Sequence, residues 1–141
     1  MGKKIYHTGP VGNGQAAKIC NNMILGISMI GVSEAFLLAD KLGLPAAKLF
    51  EVVNNSSGQC WVMSQYPPAP DLLPSAPANH DYKPGFAAAM MLKDLLLSQQ
   101  SAQQAGVDTP MGELAASLYR QFNEAGYGNL DFSAIRLGIK E

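Results

Sequence analysis

The chain has 141 residues, enough for one compact domain with a real core. Charged residues are 15% of it, against about 25% in an ordinary soluble domain, so apolar surface exceeds what one small core consumes and a partner surface is expected. A formal net charge of -1 excludes an electrostatic case for nucleic acid or an anionic membrane surface.

In chain order, Lys4 to His7 reads as a very short strand ending at Gly9-Pro10. The start is basic but no apolar h-region follows, so it does not read as a signal peptide. From Gly14 to about Asp40 the pattern is helical and apolar on nearly every face, which predicts a central helix covered on several sides. Its uncharged run, Ile19 to Ser33, falls short of the roughly twenty apolar residues of a membrane span. Gly31 and Ala35 make a small pair four apart, where another helix is expected to approach closely. Gly43 and Pro45 break the chain, and a short helix follows from Ala46 to Val53. After the turn Asn54 to Gly58, a third short helix is expected within Gln59 to Tyr66.

Pro67 to Pro84 contains six prolines and is a loop, ordered or mobile. A long helix is predicted from Phe86 to Ala105, then a stop at Gly106. Thr109 is placed to cap the next helix, with Pro110 as its first residue and Gly126 as its end. A last turn or helix occupies Phe132 to Ile139, and the fold class is all-α.

Several segments invite a chemical reading. Gly9-Pro10-Val11-Gly12-Asn13-Gly14 has P-loop spacing, but Gln15-Ala16 stands where Lys-Ser/Thr is required. As a dinucleotide fingerprint it fits only in part, and no alternating strands and helices follow. Lys18 interrupts the apolar helix near its start, with Asn22 one turn on and Asn21 beside it. Two readings stand side by side: a snorkelling surface lysine, or an acid–base amine at a positive helix end that favours its neutral form and an anionic ligand. Lys93-Asp94 interrupts the apolar run Phe86 to Leu97, either as a surface ion pair or as part of a site, with Phe86 seven residues ahead on the same helical face. Ser56-Ser57-Gly58 followed by Cys60-Trp61 reads equally as part of a site or as a helix C-cap plus a core tryptophan, and no nucleophile–histidine arrangement favours the former. His7 and His80 have no partner at metal-ligand spacing, and two isolated cysteines, Cys20 and Cys60, suit a reducing compartment.

Together these residues carry a resemblance. Gly9 through Met23 resembles the motif that opens the C-terminal helical domain of the β-hydroxyacid dehydrogenase family. Ser56-Ser57-Gly58-Gln59-Cys60-Trp61, the proline-rich loop and Gly85-Phe86 through Lys93-Asp94-Leu95 match the same family in order, most like its 3-hydroxyisobutyrate dehydrogenase branch. The resemblance implies an all-α domain around a long central helix (residues 11–141), preceded by the tail of a Rossmann domain and a linker (residues 1–10).

It further implies Lys18 as the catalytic lysine, Asn22 as the amide that orients substrate, Phe86 as a pocket-lining residue and Lys93 as a contact to NAD, with no metal. The implied reaction oxidises 3-hydroxyisobutyrate to methylmalonate semialdehyde, in valine breakdown. NAD would be bound mainly by a domain outside this chain, so the chain alone is expected to be inactive and to form a homo-oligomer. A bacterial source would place it in the cytoplasm, a eukaryotic one in the mitochondrial matrix. The alternatives are a tartronate semialdehyde reductase-like enzyme, disfavoured by Asn21-Asn22 and Cys60-Trp61, and a non-catalytic helical assembly module. Because asparagine costs a helix little, Asn22 is expected to serve the substrate rather than the fold.

Overall fold

The computed structural model of the chain describes residues 12–140. The expected strand at Lys4 to His7, and the assignment of residues 1–10 to a preceding domain and linker, lie outside the described residues. Five α-helices are present among them: α1 (Asn13–Lys41), α2 (Ala46–Asn54), α3 (Trp61–Gln65), α4 (Ala88–Ala105) and α5 (Pro110–Phe122). Among the described residues the pairing between strand-like segments is a single antiparallel bridge, Ala87 to Asp131.

Helix α1 is central. It packs against α2, α3, α4, α5 and a 3-10 segment, Phe132–Gly138. By length and composition α1 could cross a membrane, yet Met29, Val32 and Phe36 on it are buried in a core shared with Met91, Leu95 and Tyr119. Full burial of each such side chain stabilises the fold by about 1.5–3 kcal/mol. Close approach occurs at Gly26, not at Gly31. A Cβ on Gly26 would lie 3.0 Å from Met91 Sδ and 3.1 Å from a Leu95 methyl, whereas one on Gly31 would meet nothing within 4 Å. Gly31 instead lines a shallow groove between α1 and α5. A spacing of four identified a small face but not the face that α4 uses.

Contacts between α1 and α4 fix their relative direction. Met23 Sδ lies 4.0 Å from Gln99 Nε2, while Gly26 faces Met91 and Leu95. Positions rise on α1 as they fall on α4, so the pair is antiparallel.

Helix α4 begins at Ala88 rather than at Phe86. No side chain caps it. Its first amides are met by main-chain carbonyls from the C-terminal segment: Ala88 N–H donates to Leu130 O (2.8 Å) and Ala89 N–H to Gly128 O (2.9 Å). Its far end closes on Gly106 at φ 72, a left-handed position that glycine takes without strain. Thr109 stands at the cap position of α5, with Pro110 next as expected, but its hydroxyl donates to Gln99 Oε1 (3.0 Å) instead of capping. Helix α5 stops at Phe122, and a π turn carries the chain over Gly126 at φ 100.

The proline-rich loop is ordered. Pro67, Pro68 and Pro77 are buried, Tyr82 Oη donates to Pro68 O (2.6 Å), and Asn79 bridges Asp71 N–H and Leu73 O. Three non-glycine residues, Asp71, Asp81 and Tyr82, hold positive φ in it. Such backbone persists only where surrounding bonds over-determine it.

Candidate functional site

Lys18 lies in the second turn of α1 and is exposed. One turn on, Asn22 is only 5% exposed. Its Nδ2 donates to Asp94 Oδ2 across the helix pair (2.8 Å), and its Oδ1 accepts from Asn21 Nδ2 (3.2 Å). A carboxylate acceptor on one side and an amide donor on the other fix which way the Asn22 amide points. Asn22 therefore also ties α1 to α4, which revises the expectation that it leaves the fold untouched.

Asp94 is the residue that reading the sequence missed. Adjacency to Lys93 suggests a surface ion pair, but among the described residues the one ion pair is Lys48–Glu51 (3.3 Å). A signal was available: an amide within a central apolar helix needs a partner, and Asp94 is a charged acceptor that interrupts a second apolar run.

Lys93 sits next to Asp94 but turns outward. With Ala89, Leu92, Leu96, Leu97 and Gln100 it lines an open groove of about 310 Å³ along α4. The floor is apolar, with a cationic and an amide side chain among its lining. That donor set suits one face of a flat heteroaromatic ring bearing a carboxamide, so these residues fit a nicotinamide group.

Phe86 does not join this group within the chain. It precedes α4, so the helical spacing that put it on one face with Lys93 does not apply. It lies on the other side of the Asn22–Asp94 contact from Lys18, roughly 20 Å away at about 1.5 Å per helical residue plus two extended residues. Its ring meets Phe132 edge-on, with centroids 5.5 Å apart. Tyr66 packs on the same Phe132 (5.3 Å) and stacks on Trp61 (5.4 Å). Trp61 is 51% exposed, so it is not the core tryptophan that the spacing also allowed.

Tyr66 Oη donates to Asp131 Oδ1 (2.6 Å). Burial, then that hydrogen bond and the nearby negative charge, hold the phenol far above its usual ionisation range. Tyr119, fully buried and donating to Phe132 O (2.9 Å), is raised likewise, by burial first and then by the charge of Asp131. Cys20 is exposed and Cys60 half-buried, both as free thiols. His80 sits in the proline-rich loop, its ring 3.0 Å from Pro74 O. Among the described residues no three His, Cys, Asp or Glu side chains cluster as metal ligands.

Comparison with known proteins follows the same lines. A mitochondrial 3-hydroxyisobutyrate dehydrogenase of Drosophila melanogaster is 50% identical over 135 residues, 96% of this chain and 42% of that protein. An NAD-dependent L-serine dehydrogenase of Pseudomonas aeruginosa is 47% identical over 136 residues, 96% of this chain and 46% of that protein. The solved 3-hydroxyisobutyrate dehydrogenase of Mycobacterium tuberculosis with L-serine superposes with a TM-score of 0.94 at 45% identity, covering 98% of this chain and 47% of that one. The chain thus spans less than half the length of these relatives. The family described as "NAD-binding of NADP-dependent 3-hydroxyisobutyrate dehydrogenase" matches residues 12–137. The chain, helical in its described part and matched over nearly all of it, belongs to that 3-hydroxyisobutyrate dehydrogenase domain family.

Proposed function

We propose that this chain is the lysine-bearing helical part of an NAD-dependent 3-hydroxyisobutyrate dehydrogenase, which oxidises 3-hydroxyisobutyrate to methylmalonate semialdehyde in valine breakdown. The observation that carries the reading is the pairing of an exposed Lys18 with Asn22 one turn away, its amide fixed by Asp94. When bound, NAD supplies the hydride acceptor; Lys93 would hold it from the α4 groove, and most of its binding would come from the rest of the enzyme. Lys18 takes the hydroxyl proton as the carbon–oxygen double bond forms, and returns it in the reverse direction. Asn22 orients the hydroxy acid by hydrogen bonding, holding the hydride-bearing carbon in place.

Within one chain Phe86 stands roughly 20 Å from Lys18, so in this reading it lines a pocket completed by parts of the enzyme outside this chain. A homo-oligomer is the expected assembly, and the chain by itself is inactive. In a bacterial source the enzyme is cytoplasmic; in a eukaryote it is in the mitochondrial matrix, and the Drosophila relative is named mitochondrial.

A second reading is oxidation of L-serine, favoured by the Pseudomonas relative and by the serine present with the Mycobacterium structure. Both substrates are β-hydroxy acids, and Lys18 and Asn22 would act alike on them. The test is Lys18→Ala in the enzyme that carries this chain, assayed on both acids. Turnover is expected to fall by roughly 10²–10⁴ with NAD affinity little changed. Near-normal turnover would return Lys18 to a surface role, and the ratio of specificity constants for the two acids decides the substrate.

A further inference from the structure

Asp131 is fully buried, and among the described residues it has no cationic partner. Five donors meet its carboxylate. Oδ1 accepts from Tyr66 Oη (2.6 Å), Gly85 N–H (2.9 Å) and Phe86 N–H (3.0 Å). Oδ2 accepts from Ser133 N–H (3.0 Å) and Ser133 Oγ (2.6 Å). Burying a charge this way is costly unless every lone pair is engaged, and here nearly all are.

The two oxygens divide the work. Oδ2 serves the turn in which Asp131 itself sits, by capping the 3-10 segment from Phe132. Oδ1 reaches back some 45 residues and gathers the Gly85–Phe86 corner and the Tyr66 hydroxyl at one point. Phe86 is held at both ends, since its carbonyl accepts from Phe132 N–H (2.7 Å). Gly85 must be glycine for this to close, because a Cβ there would stand 2.8 Å from Tyr66 Oη. The rings of Tyr66 and Phe86 then flank Phe132.

We infer that Asp131 is a positioning residue for the site: through Oδ1 it sets Phe86 and Tyr66 as one rigid aromatic edge against which the hydroxy acid is bound. The inference rests on the pocket-lining role proposed for Phe86, and adds to it a residue that touches neither substrate nor cofactor. Both backbone amides at the corner are spent on one oxygen, so a change at Asp131 moves Phe86 rather than merely loosening it.

The test uses steady-state kinetics of the enzyme carrying this chain, with D131N, S133A, Y66F and F86A. The D131N side chain presents one oxygen and one NH₂, so it cannot accept from both the Phe86 side and the Ser133 side. We expect D131N to raise KM for the hydroxy acid about tenfold, with KM for NAD unchanged and kcat less affected. S133A removes only an Oδ2 donor and is the control for a purely structural role: its melting temperature falls, but its KM does not move. Equal KM values in D131N and S133A would overturn the proposal. Should D131N fail to fold, Y66F carries the test, since it removes a single Oδ1 donor. A smaller rise in KM supports the clasp, and an unchanged KM rejects it. F86A separates the two levels. If F86A raises KM while D131N matches S133A, only the role of Asp131 fails. If F86A leaves KM unchanged, the Phe86 reading falls and takes this one with it.

Discussion

Asn22→Ala offers a quantitative test of how one residue serves both fold and chemistry. The substitution removes the 2.8 Å hydrogen bond from Asn22 Nδ2 to Asp94. A hydrogen bond to a charged group contributes about 1.5–3 kcal/mol, and the lower end applies because Asp94 is partly exposed and can be rehydrated. Alanine returns about 0.6 kcal/mol of helix propensity relative to asparagine. The net loss is then about 1 kcal/mol, a fall of roughly 3–5 °C in melting temperature for a domain of this size. Asp94→Ala should cost at least as much, since it strands the buried Asn22 amide without an acceptor. The double variant should be milder than the sum of the two by about 1 kcal/mol, readable from urea melts of the four proteins as a coupling energy. In the assembled enzyme, Asn22→Ala should also lower kcat/KM for the hydroxy acid by about 1–3 kcal/mol, or roughly 5- to 150-fold, without moving the NAD constant. Strict additivity of the two stability losses would refute the structural half of the argument. Unchanged kcat/KM per folded molecule would refute the catalytic half and leave Asn22 as a packing element.

Two further outcomes are expected. Because Tyr66 and Tyr119 ionise far less readily in the fold than in the unfolded chain, their contribution is complete below about pH 10 and is lost progressively as pH rises above it. Urea melts at about pH 8 and about pH 11 should show that loss, smaller in Tyr66→Phe, and neither phenol should join the reversible ultraviolet titration before unfolding; full titration of the folded chain near pH 10 would contradict this. The exposed apolar side chains Ile24, Leu97, Met111 and Leu114 predict that the chain self-associates, burying more than about 1,000 Å² per contact, and a clean monomer by sedimentation at micromolar concentration would count against it.

Much of the fold was legible because local chemistry dictated it. Gly43-Pro45, Gly106 and Pro110 mark helix ends wherever they fall, and the observed α1 and α2 match their expected spans to within a residue at each end. The failures share a cause, which is that a partner lies far away in sequence. Gly26 rather than Gly31 receives α4 because the face that is used depends on where Met91 and Leu95 point. Thr109 has cap chemistry, but Gln99 takes its hydroxyl. Phe86 looked helical because no local signal says that α4 waits for Gly128 and Leu130 to receive its first amides. At the candidate site, Lys18, Asn22 and Lys93 stood out as polar breaks in apolar runs. The direction of each was hidden. Asp94 turns in toward Asn22 and Lys93 out to a groove, a difference of about 100° between adjacent helical positions that periodicity shows only once the neighbouring helix is known.

The loan of main-chain carbonyls from Gly128 and Leu130 to the start of α4 has a consequence for how the chain is made. Synthesis runs from the N-terminus at about 5–20 residues per second, so α1 to α3 and the body of α4 leave the ribosome before the segment that completes them. Until Gly128 to Asp131 arrive, the first turn of α4 has open amides and the Phe86 corner has nothing to close on. A nascent or C-terminally clipped chain therefore shows its unfinished edge at Phe86, far upstream of the break.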